Sequence, residues 1–254
     1  MRRIILLLFA VALAGVSSRM HAASPTPVIL ELFTSEGCSD CPPADTLLEK
    51  LITTQPVAGV EIIGLGQHVD YWDRQGWKDL FSSAALTNRQ RIYQTRFNTE
   101  SIYTPQMVVD GRAEFVGSDA AAATRALERA TASPHGSMTL TIDGDGPHVG
   151  VSVAVTGLPH AGGGDRADII LAVTERGLTT DVKRGENHGK ILKHAPVVRY
   201  MATIGQVAPD ASTASVRAAI QVAADWQRDH LALVAFVQEL RGRAILASAS
   251  ARLK

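Results

Sequence analysis

Apolar residues come along this chain in short blocks, and the spacing within the blocks changes between its two halves. "VILELF", Val28 to Phe33, is a near-continuous apolar run of strand length bounded by turn residues. From Pro42 to Leu51 the spacing is helical. Leu47, Leu48 and Leu51 make an i, i+1, i+4 stripe, and proline suits a first helical turn because its missing N–H has no partner there. Val60 to Leu65 predicts a second buried strand, and "SAALTNRQRIYQTRF" predicts a helix. "SIYTPQMVVDGRAEFVG" predicts two strands joined by a turn at Asp110 and Gly111. "SDAAAATRALERATA" predicts an Ala-rich helix capped by Ser118 or Asp119.

Beyond "SPHGS" the character shifts. "MTLTIDG", "HVGVSVAVTGL", "ADIILAVTE", "LALVAFVQEL" and "AILASASARL" are short β-rich runs punctuated by Gly, Pro and Asp, with no long amphipathic helix among them, although Ser215 to Asp225 could form a short one. The pattern predicts an α/β domain over 24–135, then an all-β, immunoglobulin-like sandwich over 136–254, with the boundary near Ser133 to Ser137.

Composition adds limits. Of 254 residues, 46% are hydrophobic and 20% charged, and 25 Lys plus Arg balance 25 Asp plus Glu, so nothing in the charge invites a nucleic acid. At the N-terminus "MRR" precedes the apolar "IILLLFAVALAGV" and the small-residue stretch "SSRMHAAS". This reads as a signal peptide over 1–23, cut after Ala22 or Ala23, and an apolar run too short for a comfortable membrane span. A periplasmic or secreted location follows as an expectation, and there a disulfide is chemically allowed.

Both cysteines of the chain, Cys38 and Cys41, lie between the first strand and the first helix, in "ELFTSEGCSDCPPAD". With Cys38 at the helix N-terminus and Cys41 inside the first turn, the helix dipole favours a thiolate on Cys38, and Cys41 becomes the resolving thiol. Zinc would want four ligands that the chain's cysteines do not supply. Copper(I) held by both thiolates and His68 stays open as an alternative, as does a binding module with an inert disulfide. Glu31 interrupts the first strand, and burial beneath the dithiol would let it take a proton from Cys41. Thr104 and Pro105 precede the strand "QMVVD", and "HVDYWDRQGW" crowds His68, Asp70, Tyr71, Trp72, Asp73 and Trp77 at a strand end, where α/β sheets hold ligands. No Gly-rich phosphate loop, G-x-S-x-G elbow or H-E-x-x-H pair occurs, so neither a hydrolase nor a cofactor is expected.

Three of these stretches, "ELFTSEGCSDCPPAD", "HVDYWDRQGWKD" and "YTPQMVVDGR", resemble the secreted thioredoxin-like family catalogued as domain of unknown function 1223. A fourth, "RGENHGKILKHAPVVR", is similar to that family's second-domain signature. The resemblance implies a thioredoxin-like first domain, with a redox dithiol at Cys38 and Cys41 and a cis-proline loop at Thr104 and Pro105 gripping substrate. It implies no reaction, and Ser39-Asp40 stands where Gly-Pro is usual. As a loop folded onto the first domain, the fourth stretch would bring Glu186, Asn187, His188, Lys193, His194 and Arg199 to a substrate groove. The expectation is a thiol-disulfide oxidoreductase acting on protein or small-molecule thiols and disulfides, recycled by a membrane redox partner or by none.

Overall fold

The computed structural model describes residues 24–253; the expected signal peptide lies outside them. The first apolar run forms β1 (Thr26–Thr34), followed by α1 (Pro42–Thr54), β2 (Val60–His68) and α2 (Ala84–Phe97). A hairpin of β3 (Gln106–Val109) and β4 (Ala113–Val116) then leads to α3 (Ala120–Thr131). Every element expected in this half is present. β1 pairs parallel with β2 and antiparallel with β3, and the crossover that a parallel pair needs is α1. Asp110 and Gly111 both take positive φ, 47° and 62°, the turn that matches strand twist in a tight hairpin. The Asp119 carboxylate accepts from Ala122 N at 2.9 Å and so caps α3.

β1 is apolar on both faces because both are covered. Val28, Leu30 and Leu32 pack on Ala44 and Leu48 of α1 and Leu127 of α3. Ile29 and Phe33 point the other way, into clusters that include Leu86 and Tyr93 of α2. Strand alternation therefore puts Glu31 on the α2 face.

The second half contributes β5 (Ser137–Asp143), β6 (His148–Thr156), β7 (Ala167–Glu175), β8 (Thr179–Asp181), β9 (Ile191–Lys193), β10 (Val197–Val207), β11 (Ala214–Gln221), β12 (Leu231–Glu239) and β13 (Ile245–Arg252). Four of these strands extend the first sheet, giving eight in the order β13-β12-β7-β10-β2-β1-β3-β4. The join is narrow: Val197 of β10 registers with Gly66 of β2, and Gly66 N donates to Pro196 O at 2.7 Å. A Cβ on Gly66 would lie 2.9 Å from that oxygen, so the close approach needs glycine.

β11, β6 and β5 make a separate three-stranded antiparallel sheet. Val149, Val151, Val153 and Val155 of β6 share a core with Ile169, Leu171 and Leu233 of the large sheet. The architecture is thus a mixed α/β sheet with parallel strands plus a small antiparallel sheet. The expected immunoglobulin-like sandwich is not shown, because one of its layers is the continuation of the first half's sheet. The short helix that Ser215 to Asp225 could have formed is replaced by a strand, β11. Alternate residues of "ASVRAAIQ" face inward, and the segment pairs with β6 from Ala214↔Val155 to Gln221↔His148. Among the described residues no helix is long and apolar enough to cross a membrane.

Candidate functional site around the cysteine pair

β1 ends at Thr34, and the chain makes two tight turns before α1. Cys38 N donates to Ser35 O at 3.2 Å, and Cys41 N donates to Cys38 O at 3.3 Å. These turns bring the cysteine Cα atoms to 5.4 Å, and the sulfurs are joined. Cys41 is the N-cap of α1: its carbonyl accepts from Ala44 N at 2.9 Å and Asp45 N at 3.1 Å, and Pro42 opens the helix. Cys41 is therefore the cap rather than part of the first turn, and Cys38 lies three residues before the cap, both further out than expected but still at the positive end of the helix. Ser39 and Asp40 face solvent, whereas each cysteine is only 1% exposed.

Their cover comes from both halves of the chain. The loop between β8 and β9, which holds the "RGENHGK" stretch, lies over the cysteine turn. Asn187, fully buried, donates from Nδ2 to the carbonyls of Glu36 and Cys38, each at 2.9 Å. Ser39 N donates to Glu186 Oε2 at 3.2 Å. From the first half, Trp72 Nε1 donates to Thr104 Oγ1 at 2.7 Å, while the Trp72 Cβ crowds the face of Gly37. Trp72 thus ties the cysteine turn to the Thr104–Pro105 loop, and that peptide bond is cis. Trp77 Nε1 donates to Glu36 Oε2 at 2.7 Å, on the opposite flank.

Beneath this cover lies a buried polar cluster on the α1 face of the sheet. His68 Nδ1 and Asp79 Oδ2 are 2.7 Å apart, and Asp79 Oδ2 also accepts from Glu36 N at 2.9 Å. Thr180 Oγ1 donates to Glu36 Oε1 at 2.5 Å and stands 3.0 Å from His194 Nε2. Thr34 Oγ1 donates to Asp45 Oδ2 at 2.7 Å. Burial pushes the Asp45 carboxyl above its usual range, only partly opposed by the His68 charge and the Thr34 hydrogen bond. Burial would lower His68, but the charge and hydrogen bond of Asp79 outweigh it and raise the imidazole. Burial likewise opposes ionisation of Asp79, and the His68 charge more than compensates, leaving that carboxyl below its usual range.

Not every expected residue arrives here. Glu31 is buried, as anticipated, but across the sheet from α1. Arg89 holds it from Nε at 2.5 Å and Nη2 at 2.9 Å, and Tyr93 Oη and Gln67 Nε2 donate to it as well. Strand alternation, with Leu30 and Leu32 facing α1, puts its carboxylate on the other face of the sheet, paired with Arg89 rather than set beneath the dithiol. Asp70 accepts from Thr87 Oγ1 at 2.6 Å and braces α2, away from the cysteines. Arg199 pairs with Glu175 at 2.5 Å, and His188 is exposed. His68, Trp72, Trp77, Thr104, Pro105, Glu186, Asn187 and His194 are brought together around the turn. Glu36, Asp45, Asp79 and Thr180 complete the cluster; the first three lie inside the stretches quoted above but carried no assigned role there, and Thr180 lies outside them. Asp45 did leave a trace, a carboxylate beside Ala44 on the buried stripe of α1. Roomier clefts, such as the one of about 440 Å³ lined by Ile52, Glu61, His230 and Arg252, hold none of these residues.

Among solved structures, protein AGR_C_4864 from Agrobacterium tumefaciens is 26% identical, with a TM-score of 0.67 over 90% of this chain and 95% of that one. A domain of the outer membrane lipoprotein Omp28 from Porphyromonas gingivalis is more remote, at 10% identity and a TM-score of 0.32 over 47% of this chain and 95% of that one. No curated protein matches. The family described as "protein of unknown function (DUF1223)" matches from residue 29 to 238, a stretch that takes in the cysteine turn, the Trp72 and Trp77 segment, the cis-proline loop and the β8–β9 cover. The chain therefore belongs to the DUF1223 family.

Proposed function

We propose that the protein is an exported thiol-disulfide oxidoreductase whose working group is the Cys38–Cys41 pair. The supporting observation is the placement of that disulfide: it closes at the N-terminus of α1, beside a cis-proline loop, on a β1-α1-β2 parallel unit of thioredoxin type. In this reading residues 24–135 form the thioredoxin-like unit, and the rest of the chain supplies the cover. In the reducing direction the Cys38 thiolate attacks a substrate disulfide and expels one substrate thiolate. The Cys41 thiolate then attacks the Cys38 sulfur of the mixed disulfide, releasing the second substrate thiol and closing Cys38–Cys41. Two electrons pass to the substrate; the reverse sequence oxidises a dithiol. Trp72, Thr104 and Pro105 form the substrate-facing edge. Substrates are protein or small-molecule thiols and disulfides, with a membrane redox partner as the candidate recycling system.

The burial of both sulfurs favours a second reading, an inert staple. Equilibration in glutathione or dithiothreitol buffers separates the two. A working dithiol falls between about −120 and −270 mV, and a staple lies below about −300 mV. Cys41→Ser should trap mixed disulfides, and Cys38→Ser should abolish exchange while the fold survives. A staple-range potential together with no trapped adduct refutes the oxidoreductase.

A further inference from the structure

The cluster beneath the cysteine turn is built as a cation site. Asp45, His68 and His194, all buried, each present one ligand atom, and the three atoms lie within 4.8 Å of one another. They line a cavity of about 10 Å³, the size of a single water or ion. His68 is 1% exposed, and its Nε2 has no hydrogen-bond partner. Its other nitrogen is fixed at 2.7 Å by Asp79, the arrangement in which a carboxylate orients an imidazole and leaves the far nitrogen's lone pair for a metal. Charge points the same way. Three buried carboxylates, Glu36, Asp45 and Asp79, gather around the two imidazoles, a donor-rich surrounding that a cation would balance. Lys193 reaches the cavity only from its exposed rim.

We propose that Asp45, His68 and His194 bind a first-row divalent cation, with zinc the best fit, one helical turn below Cys41 and without the cysteines as ligands. Two imidazoles and a carboxylate are a recognised donor set for zinc with an open fourth position. Bonds of about 2.0–2.2 Å put tetrahedral ligand atoms roughly 3.3–3.6 Å apart, so the three side chains close in by about 1 Å on binding. Asp79 behind His68, and Thr34 behind Asp45, are positioning residues. The inference does not depend on the thiol chemistry.

The test is titration of the chelator-stripped protein with zinc chloride against a chromophoric competitor. Wild type and a Cys38→Ser/Cys41→Ser variant should each bind one zinc per chain with equal affinity. Asp45→Asn and His194→Gln should weaken binding at least 100-fold, and Asp79→Asn by roughly 10- to 100-fold. Circular dichroism checks that each variant is folded. Cobalt(II) added to wild type supplies a readout that needs no variant: d–d bands of a four- or five-coordinate ion, without a thiolate charge-transfer band. Absence of stoichiometric zinc, loss of binding in the cysteine variant, or unchanged binding in folded Asp45→Asn and His194→Gln would each overturn the proposal. So would a cobalt spectrum of the free aquo ion, which leaves the cavity to a water molecule.

Discussion

Asn187→Ala isolates the clamp over the cysteine turn. The side chain makes two donor contacts of 2.9 Å, to Glu36 O and Cys38 O, and its Oδ1 accepts from Lys190 Nζ at 3.0 Å. A buried neutral hydrogen bond contributes about 1 kcal/mol, and a carbonyl left without its donor costs somewhat more, so the two lost contacts amount to about 2–3 kcal/mol. If dithiothreitol reaches the disulfide only when this loop lifts, the whole amount enters the opening equilibrium. At about 1.4 kcal/mol per tenfold, the open population, and with it the second-order rate of disulfide reduction, should rise roughly 30- to 150-fold. Stopped-flow reduction under pseudo-first-order dithiothreitol, followed by trapping of new thiols, measures that rate. Urea unfolding of the oxidised protein, run in parallel, measures how much stability is lost globally. A reduction rate within twofold of wild type in a folded variant would refute the clamp, because the sulfurs would then be reached by a path that Asn187 does not guard.

Other changes probe the frame. Glu31→Gln removes one partner of a buried ion pair with Arg89 and should cost about 3–5 kcal/mol in urea unfolding. The reduction potential should stay within about 10 mV of wild type, and a larger change would restore Glu31 to the dithiol chemistry. Gly111→Ala sets a Cβ 1.9 Å from Arg243 O at a φ of 62°, so a loss of about 3 kcal/mol or more is expected from combined strain and overlap. A melting temperature equal to wild type would show that the hairpin and the β12–β13 turn separate freely. His135 Nε2 lies 2.8 Å from Asp110 Oδ2. Burial would lower this imidazole, but the hydrogen bond and charge of Asp110 raise it overall. A raised folded-state pKa gives stability that is fully present below the unfolded value near 6.5 and is lost as pH rises through the folded one. Melting curves between pH 5.5 and 8.5 should therefore flatten in His135→Gln relative to wild type. An unchanged difference between the two proteins across that range would remove the ion pair from the account.

The parts of the fold that the sequence disclosed are those whose signal is local. β1 and β2 announce themselves as unbroken apolar runs, α3 by its cap and stripe, and the hairpin by Asp110 and Gly111. What stayed hidden depends on partners distant in the chain. β1 is apolar on both faces, so its period says nothing about which face Glu31 occupies; α2 and Arg89 decide it. "ASVRAAIQ" is Ala-rich enough to read as a helix, and only the open edge of β6 makes it a strand. The site was legible where chemistry is dense, at the cysteine turn and among His68, Trp72 and Trp77. It was silent at Thr180, and it gave no role to Asp79 at the end of "HVDYWDRQGWKD"; both matter because the β8–β9 segment and the segment after β2 converge there.

The narrow seam at Gly66 and Val197 has a consequence for dissecting the chain. Cutting after Ser133 to isolate the first half would free the bridge at Gly66 and remove β7, β10 and β12, which stand across a cleft from the rest of that edge of β2 and keep other chains from it. A strand edge uncovered in this way is a template for self-association. A fragment carrying only the cysteine half is therefore expected to oligomerise edge to edge, and studies of the dithiol belong in the intact chain, where β2 lies inside the sheet.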